Sequence, residues 1–97
     1  MIDIPKKNTD SGRLVQWARI GDGIVITGNC LHLDQYGIID PPQGLTIYYD
    51  EKEEAYYLFR CDSDWVSLSD TWHQTLEEAL SQAEFEFQGI TDAWTIA

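Results

Sequence analysis

The sequence predicts an α+β fold: an antiparallel β-sheet of about five strands, in two hairpin units, with one C-terminal amphipathic helix packed on one face. Three observations carry that expectation. Two β-rich runs, Leu45–Tyr49 and Ala55–Cys61, flank the charged turn Asp50–Glu54, which is a hairpin pattern. A periodic stretch from Leu76 onwards is preceded by Thr75 and carries Glu78 three residues after it, the arrangement of a helix capping box. The 97 residues, 43% hydrophobic and 12% aromatic, suffice for one core and not for two.

In chain order, Met1–Gly12 has no apolar periodicity and reads as a flexible N-terminal arm, leaving residues 13–97 as the single domain. Leu14–Ile20 reads as a strand, and Gly21-Asp22-Gly23 as the turn joining it to Ile24–Thr27 in a first hairpin. The stretch from Gly28 to Gly44 reads mostly as loop, with Leu31–Leu33 as a short strand and Asp40–Gly44 as a stiff connector that its two prolines keep out of a sheet. After the second hairpin, the turn Asp62–Asp64 leads into a strand at Trp65–Ser69, which makes the middle of the chain a three-stranded meander.

In the helix, Leu76, Ala79, Leu80, Ala83 and Phe87 fall on one stripe at 100° per residue, so the stripe lies on the sheet. Glu77, Ser81, Gln82, Glu84, Glu86 and Gln88 occupy the remaining face and are expected in solvent. Phe85 lies opposite the stripe. It reads either as an exposed aromatic or as one half of a Phe85–Ile90 contact closing the helix at a left-handed Gly89. Thr91-Asp92 make a turn, and Ala93–Ala97 a last short strand or tail that packs Trp94 in the core.

Seventeen acidic against six basic residues give a net charge of −11. That balance disfavours direct binding to nucleic acid or to an anionic membrane surface. No Lys or Arg follows Arg60, so the C-terminal 37 residues carry acid alone. Solubility accounts for such acidity, and so does a face that attracts a basic protein. No run is long and apolar enough to span a bilayer, and the first residues lack the apolar core of a secretory signal, so a cytoplasmic location is expected. Cys30 and Cys61 are read as reduced, buried thiols.

Cys30, His32, Cys61 and His73 are the complete set of Cys and His side chains, but only Cys30 and His32 come close to zinc-site spacing and the others are isolated, so no metal or other cofactor is expected. Cys30 beside His32, or Cys61 beside His73, has the composition of a thiolate and its base, without a nucleophile motif around either. Asp62, Asp64 and Asp70 lack the glycine and the terminal carboxylate of a calcium loop and read as turn formers. Asp70-Thr71-Trp72-His73 is expected in a loop just before the helix, a position in which binding residues concentrate.

The segments Tyr56–Asp62, Asp70–His73 and Gln82–Phe87, with Trp65, Gly89 and Ile90, resemble a group of small uncharacterised acidic bacterial proteins. The resemblance covers about 40 C-terminal residues, implies a shared fold unit and brings no catalytic residues with it. In size and charge the chain is also similar, in a general way, to toxin-immunity proteins.

The function expected is therefore non-catalytic: an immunity-like or antitoxin-like domain that masks a basic surface on a protein partner such as a toxin. Trp65 and Trp72 would act as anchors, with Asp70, His73, Glu77, Glu78 and Glu84 around them. A small enzyme or ligand-binding domain using Asp70–His73 is one alternative, and a mimic of nucleic-acid charge is another. From the poor ligand spacing, the purified protein is expected to fold without metal. Elemental analysis should find zinc well below stoichiometric, and the melting temperature should not move when a chelator is added.

Overall fold

A computed structural model describes residues 4–29, 33–34, 37–38 and 41–97. Its elements are β1 (Asn8–Thr9), β2 (Gly12–Arg19), β3 (Val25–Ile26), β4 (Leu33–Asp34), β5 (Gly37–Ile38), β6 (Gly44–Asp50), β7 (Ala55–Cys61), β8 (Ser67–His73), α1 (Leu76–Glu86), β9 (Phe87–Gln88), a 3-10 turn (Ile90–Asp92) and β10 (Thr95–Ile96). The main sheet runs β1-β2-β6-β7-β8, with β10 on the same edge of β2 as β1. Every pairing is antiparallel, and α1 packs on one face. The expected α+β architecture and the β6-β7-β8 meander are both present.

Alternation along the strands assigns the two faces. Cross-strand partners share a face, so Ala18 with Leu45, Ile47 with Leu58, and Leu58 with Thr71 lie on the helix side. Trp17 with Thr46, Tyr48 with Tyr57, and Tyr57 with Trp72 lie on the other. A bulge at Val15 shifts the register, so Leu14 joins Tyr48 on the helix-free face. The helix contributes Ala79 and Ala83, both fully buried, to a core of Ala18, Leu45, Ile47, Leu58, Phe87 and Ile90. Leu76, Leu80 and Trp94 pack at its margin. The predicted stripe thus lies on the sheet.

Several expectations are corrected. First, Ile24–Thr27 does not form a hairpin with β2, because β2 pairs with β6 and Val25-Ile26 pair with β9 after the helix. Val25 and Ile26 are half exposed, whereas Leu45 and Ile47 on β6 are fully buried, so the distant partner removes far more apolar surface from water. Second, the Gly28–Gly44 stretch carries a short β4–β5 pair, Leu33 with Ile38 and Asp34 with Gly37, while residues 31 and 32 of the expected strand lie outside the described residues. Third, Asp70–His73 is the end of β8 and not a loop, while Trp65 and Val66 fall in the turn before that strand. The helix-facing positions of β8 are Ser69, Thr71 and His73, all of them polar, so the strand has no apolar alternation to betray it.

The fourth correction concerns the polar groups themselves. Glu86, expected in solvent, is 3% exposed and paired with the fully buried Arg60. Arg60 Nε donates to Glu86 Oε1 at 3.1 Å and Nη2 donates to Oε2, while Nη1 donates to the Leu58 carbonyl at 3.1 Å and to Thr71 Oγ1 at 3.0 Å. Gln82 Nε2 adds a bond to Glu86 Oε2 at 2.7 Å. The pair is bidentate and both partners are hydrogen-bonded further, the condition under which a buried ion pair offsets its desolvation.

The helix closes differently from the expected Phe85–Ile90 contact. Gly89 is left-handed, with φ of 97°, but Ile90 is buried in the core and Phe85 stays 52% exposed. The carboxylate of Glu84 holds the turn instead, accepting from the Gly89 and Thr91 amides and from the Thr91 hydroxyl at 2.8, 3.1 and 2.7 Å. Of the segment read as an arm, Pro5 is buried, the Lys6 carbonyl accepts from Tyr48 Oη at 2.6 Å, and the Lys7 carbonyl accepts from the Leu14 amide at 2.7 Å.

The ion pair supplies a stability prediction. Glu86→Leu alone leaves a buried guanidinium without its counter-charge and should cost about 3–5 kcal/mol, whereas Arg60→Met with Glu86→Leu should recover most of that loss. Denaturant unfolding of the three proteins decides the matter, and equal losses in the single and double variants would show that packing and not charge holds this position.

Candidate functional site

Where α1 leaves the end of β8, a groove of about 810 Å³ opens between helix and strand, lined by His73, Thr75, Glu77, Glu78, Ser81, Gln82 and Phe85. Its floor is the outer rim of the Arg60 network, since Thr71 Oγ1 lies 2.7 Å from His73 Nε2 and Gln82 reaches Glu86. Its upper end is the helix start. Thr75 Oγ1 accepts from the Glu78 amide at 3.1 Å and Glu78 Oε2 accepts from the Gln74 amide at 3.0 Å, so the predicted capping box forms, reaching one residue further back than usual. Glu77 and Glu78 also complement the positive end of the helix dipole. At the far end Phe85 presents a half-exposed ring.

Burial, and then the nearby Arg60 charge, hold the His73 imidazole below its ordinary pKa, while Glu78 and Glu86 act weakly in the other direction. His73 is thus neutral at neutral pH and engaged with Thr71, a positioning role. On the other face of the sheet, burial pushes the Cys61 thiol up to about 11, so it stays protonated. Cys61 lies beside Thr46 on the helix-free face and His73 on the helix face, so these two do not form a nucleophile and base. Cys61 is a free, buried thiol as expected; Cys30 and His32 lie outside the described residues. Among the described residues no three His, Cys, Asp or Glu side chains converge to hold a metal ion. Asp62 forms a turn, its Oδ1 accepting from the Asp64 and Val66 amides at 2.8 and 3.0 Å.

The structure distributes the seven sequence-predicted site residues over separate places. His73, Glu77 and Glu78 meet in the groove. Asp70 and Trp72 point to the helix-free side of β8, where Trp72 is 50% exposed. Trp65 packs its ring edge-on to Trp17, with centroids 5.5 Å apart, under the Arg19 guanidinium at 4.4 Å. Glu84 is drawn into the turn after the helix. Sequence reasoning did not select Phe85, Gln82, Ser81 or Thr75 for the site. The signal for Phe85 was present, as an aromatic opposite the apolar stripe, and that of Gln82 lies in its spacing of four from Glu86.

No protein-family model, curated protein or solved structure matches this chain. No helix among the described residues is long and apolar enough to cross a membrane.

The depressed His73 pKa has a definite sign in stability. An unfolded histidine takes up its proton near 6.5 and the folded one only at lower pH, so between those values the unfolded state holds more protons. Stability contributed by neutral His73 is therefore complete above about pH 6.5 and declines as pH falls toward the folded pKa. Thermal unfolding between pH 7.5 and 5 should show this decline in the parent protein and a shallower one in His73→Gln, which keeps a hydrogen-bonding group beside Thr71. Parallel pH profiles would place the titrating group elsewhere.

Proposed function

We propose that this protein is a non-catalytic binding domain that masks a basic surface of a partner protein, in the manner of toxin-immunity proteins and antitoxins, and that the α1–β8 groove is its docking face. The observation that carries the reading is the groove's combination of two exposed carboxylates, Glu77 and Glu78, with the half-exposed ring of Phe85 on one open surface. An anchor ring with steering charges beside it suits a partner side chain that has an aliphatic stem and a cationic head. The kinship with small acidic bacterial proteins and a cytoplasmic setting belong to the same proposal.

The alternatives draw less support from the geometry. An enzyme built on Asp70–His73 would need those side chains to converge, and the strand alternates them between opposite faces. A nucleic-acid mimic needs carboxylates spaced along one extended face. Of the four glutamates in α1, Glu86 is internal, Glu84 is bound to amides of the following turn and Glu78 to the Gln74 amide of the helix cap, so no extended row of free carboxylates runs along the helix.

The test is chemical-shift mapping of the labelled protein with a short Arg- and Lys-rich peptide as probe. Shifts should concentrate between His73 and Phe85 and saturate. Phe85→Ala should mainly speed dissociation, while Glu77→Gln with Glu78→Gln should mainly slow association and reduce its salt dependence. Shifts spread evenly over all acidic residues, or centred on Trp72 with the groove silent, would remove the groove from the proposal.

A further inference from the structure

The two edges of the main sheet are finished differently. On one, β1 and β10 both pair with β2 and cover it from Gly12 to Trp17. On the other, β8 pairs with β7 alone among the described residues. No residue of β8 is buried, whereas β6 and β7 beside it both contribute to the interior. An open edge is a template for a further strand, and proteins blunt such edges with Lys, Pro, a bulge or a covering segment. β8 contains neither Lys nor Pro, and its register with β7 is unbroken from Ser69 to His73.

The pairing also assigns the backbone groups that this edge offers. The Cys61 carbonyl accepts from the amide of Gln43, the residue just before β6. Backbone groups alternate sides along a strand, so Phe59 and Tyr57 also turn theirs to β6, while Arg60, Leu58 and Tyr56 turn theirs to β8. The guanidinium of Arg60 agrees, since its Nη1 donates both to the Leu58 carbonyl and to Thr71 Oγ1 on β8. Ser69, Thr71 and His73, the partners of those three, are therefore bonded inward. Asp70 and Trp72 direct their N–H and C=O groups away from the sheet.

We infer that the β8 edge receives an extended, basic segment of the partner protein as an added strand. The inference rests on the reading of the partner as basic, and adds the form in which it binds, through main-chain bonds. The groove lies on the β8 flank of the helix, because Gln82 reaches Glu86, whose arginine bonds Thr71. A strand about 4.8 Å beyond β8 would send alternate side chains toward the groove with Glu77 and Glu78, and the intervening ones toward Asp70 and Trp72. Lysine or arginine meets a carboxylate on either side, and the half-exposed Trp72 ring suits a cation or its aliphatic stem. The same carboxylates disfavour a second copy of this chain, which would bring like charges together and a net −11 onto −11.

The probe is a short capped peptide of alternating Lys and Val, set against the same peptide with every backbone amide N-methylated and against a neutral Thr–Val peptide. The Lys–Val peptide should bind saturably and slow hydrogen exchange at the Asp70 and Trp72 amides. N-methylation keeps its charge but removes its main-chain donors, and should weaken binding about tenfold or more. Trp72→Pro removes an outward N–H without breaking the ladder to β7 and should weaken binding as strongly, while Trp72→Val, which keeps the N–H, should weaken it less. Equal affinity for the N-methylated peptide, with Asp70 and Trp72 unprotected, would overturn the added strand and leave the basic-partner reading standing. A Thr–Val peptide binding as tightly would overturn the basic occupant and that reading with it, as would the absence of binding by any of the three. A concentration-dependent dimer lost in Trp72→Pro would assign the edge to a second copy and overturn the inference.

Discussion

The buried pair of Arg60 and Glu86 is the constraint on which the rest of the structure depends. An ion pair with 0% and 3% exposure is stable only if its geometry and its secondary hydrogen bonds are nearly complete. Those bonds dictate the neighbours. Thr71 must stand beside Arg60 on β8, Gln82 must lie one turn before Glu86, and the Leu58 carbonyl must face the guanidinium. Together they set the register of α1 along the sheet, because sliding the helix by one residue would carry Glu86 away from the arginine. The alanines at 79 and 83 complement this arrangement, since small side chains let the helix come close enough to the sheet for both side chains to reach.

The same constraint shapes the functional surfaces. On the helix side, the polar row that serves Arg60 continues outward through His73 and Gln82 into the groove, so the floor of the proposed docking face is anchored to the core. Glu86 is drawn into the core and Glu84 into the turn after the helix, and the exposed glutamates of α1 that remain, Glu77 and the capping Glu78, stand at its first turn. On the helix-free side, the sheet is covered in part by the N-terminal segment and by the Trp65 turn. Aromatic rings there lie side by side across β6, β7 and β8. One face thus offers carboxylates with a single ring, the other a row of aromatic side chains.

Much of the fold was legible because its signals are local. The β6–β7 turn, the Thr75 cap, the Leu76–Ala83 stripe and the left-handed Gly89 are each written within a few residues, where period, capping chemistry and turn composition suffice. The candidate site was legible in part. His73, Glu77 and Glu78 share the groove because the helix starts directly after β8. Trp72 was expected beside them and lies on the other side, because residues one apart on a strand point oppositely.

What the sequence determined by itself is the class of the fold, the position and inner face of its helix, the acidic character of its C-terminal part and the turns of the β6-β7-β8 meander. Only the tertiary structure decided that β2 pairs with β6 and not with its neighbour, that Glu86 is internal, that Glu84 closes a turn and that Trp65 packs against Trp17. The physical reason is the range of the interactions. Caps, turns and helical periodicity involve residues a few positions apart, whereas Glu86 meets an arginine 26 residues earlier in the chain. A glutamate on the polar side of a helix carries no local mark that its counter-charge is waiting inside the sheet.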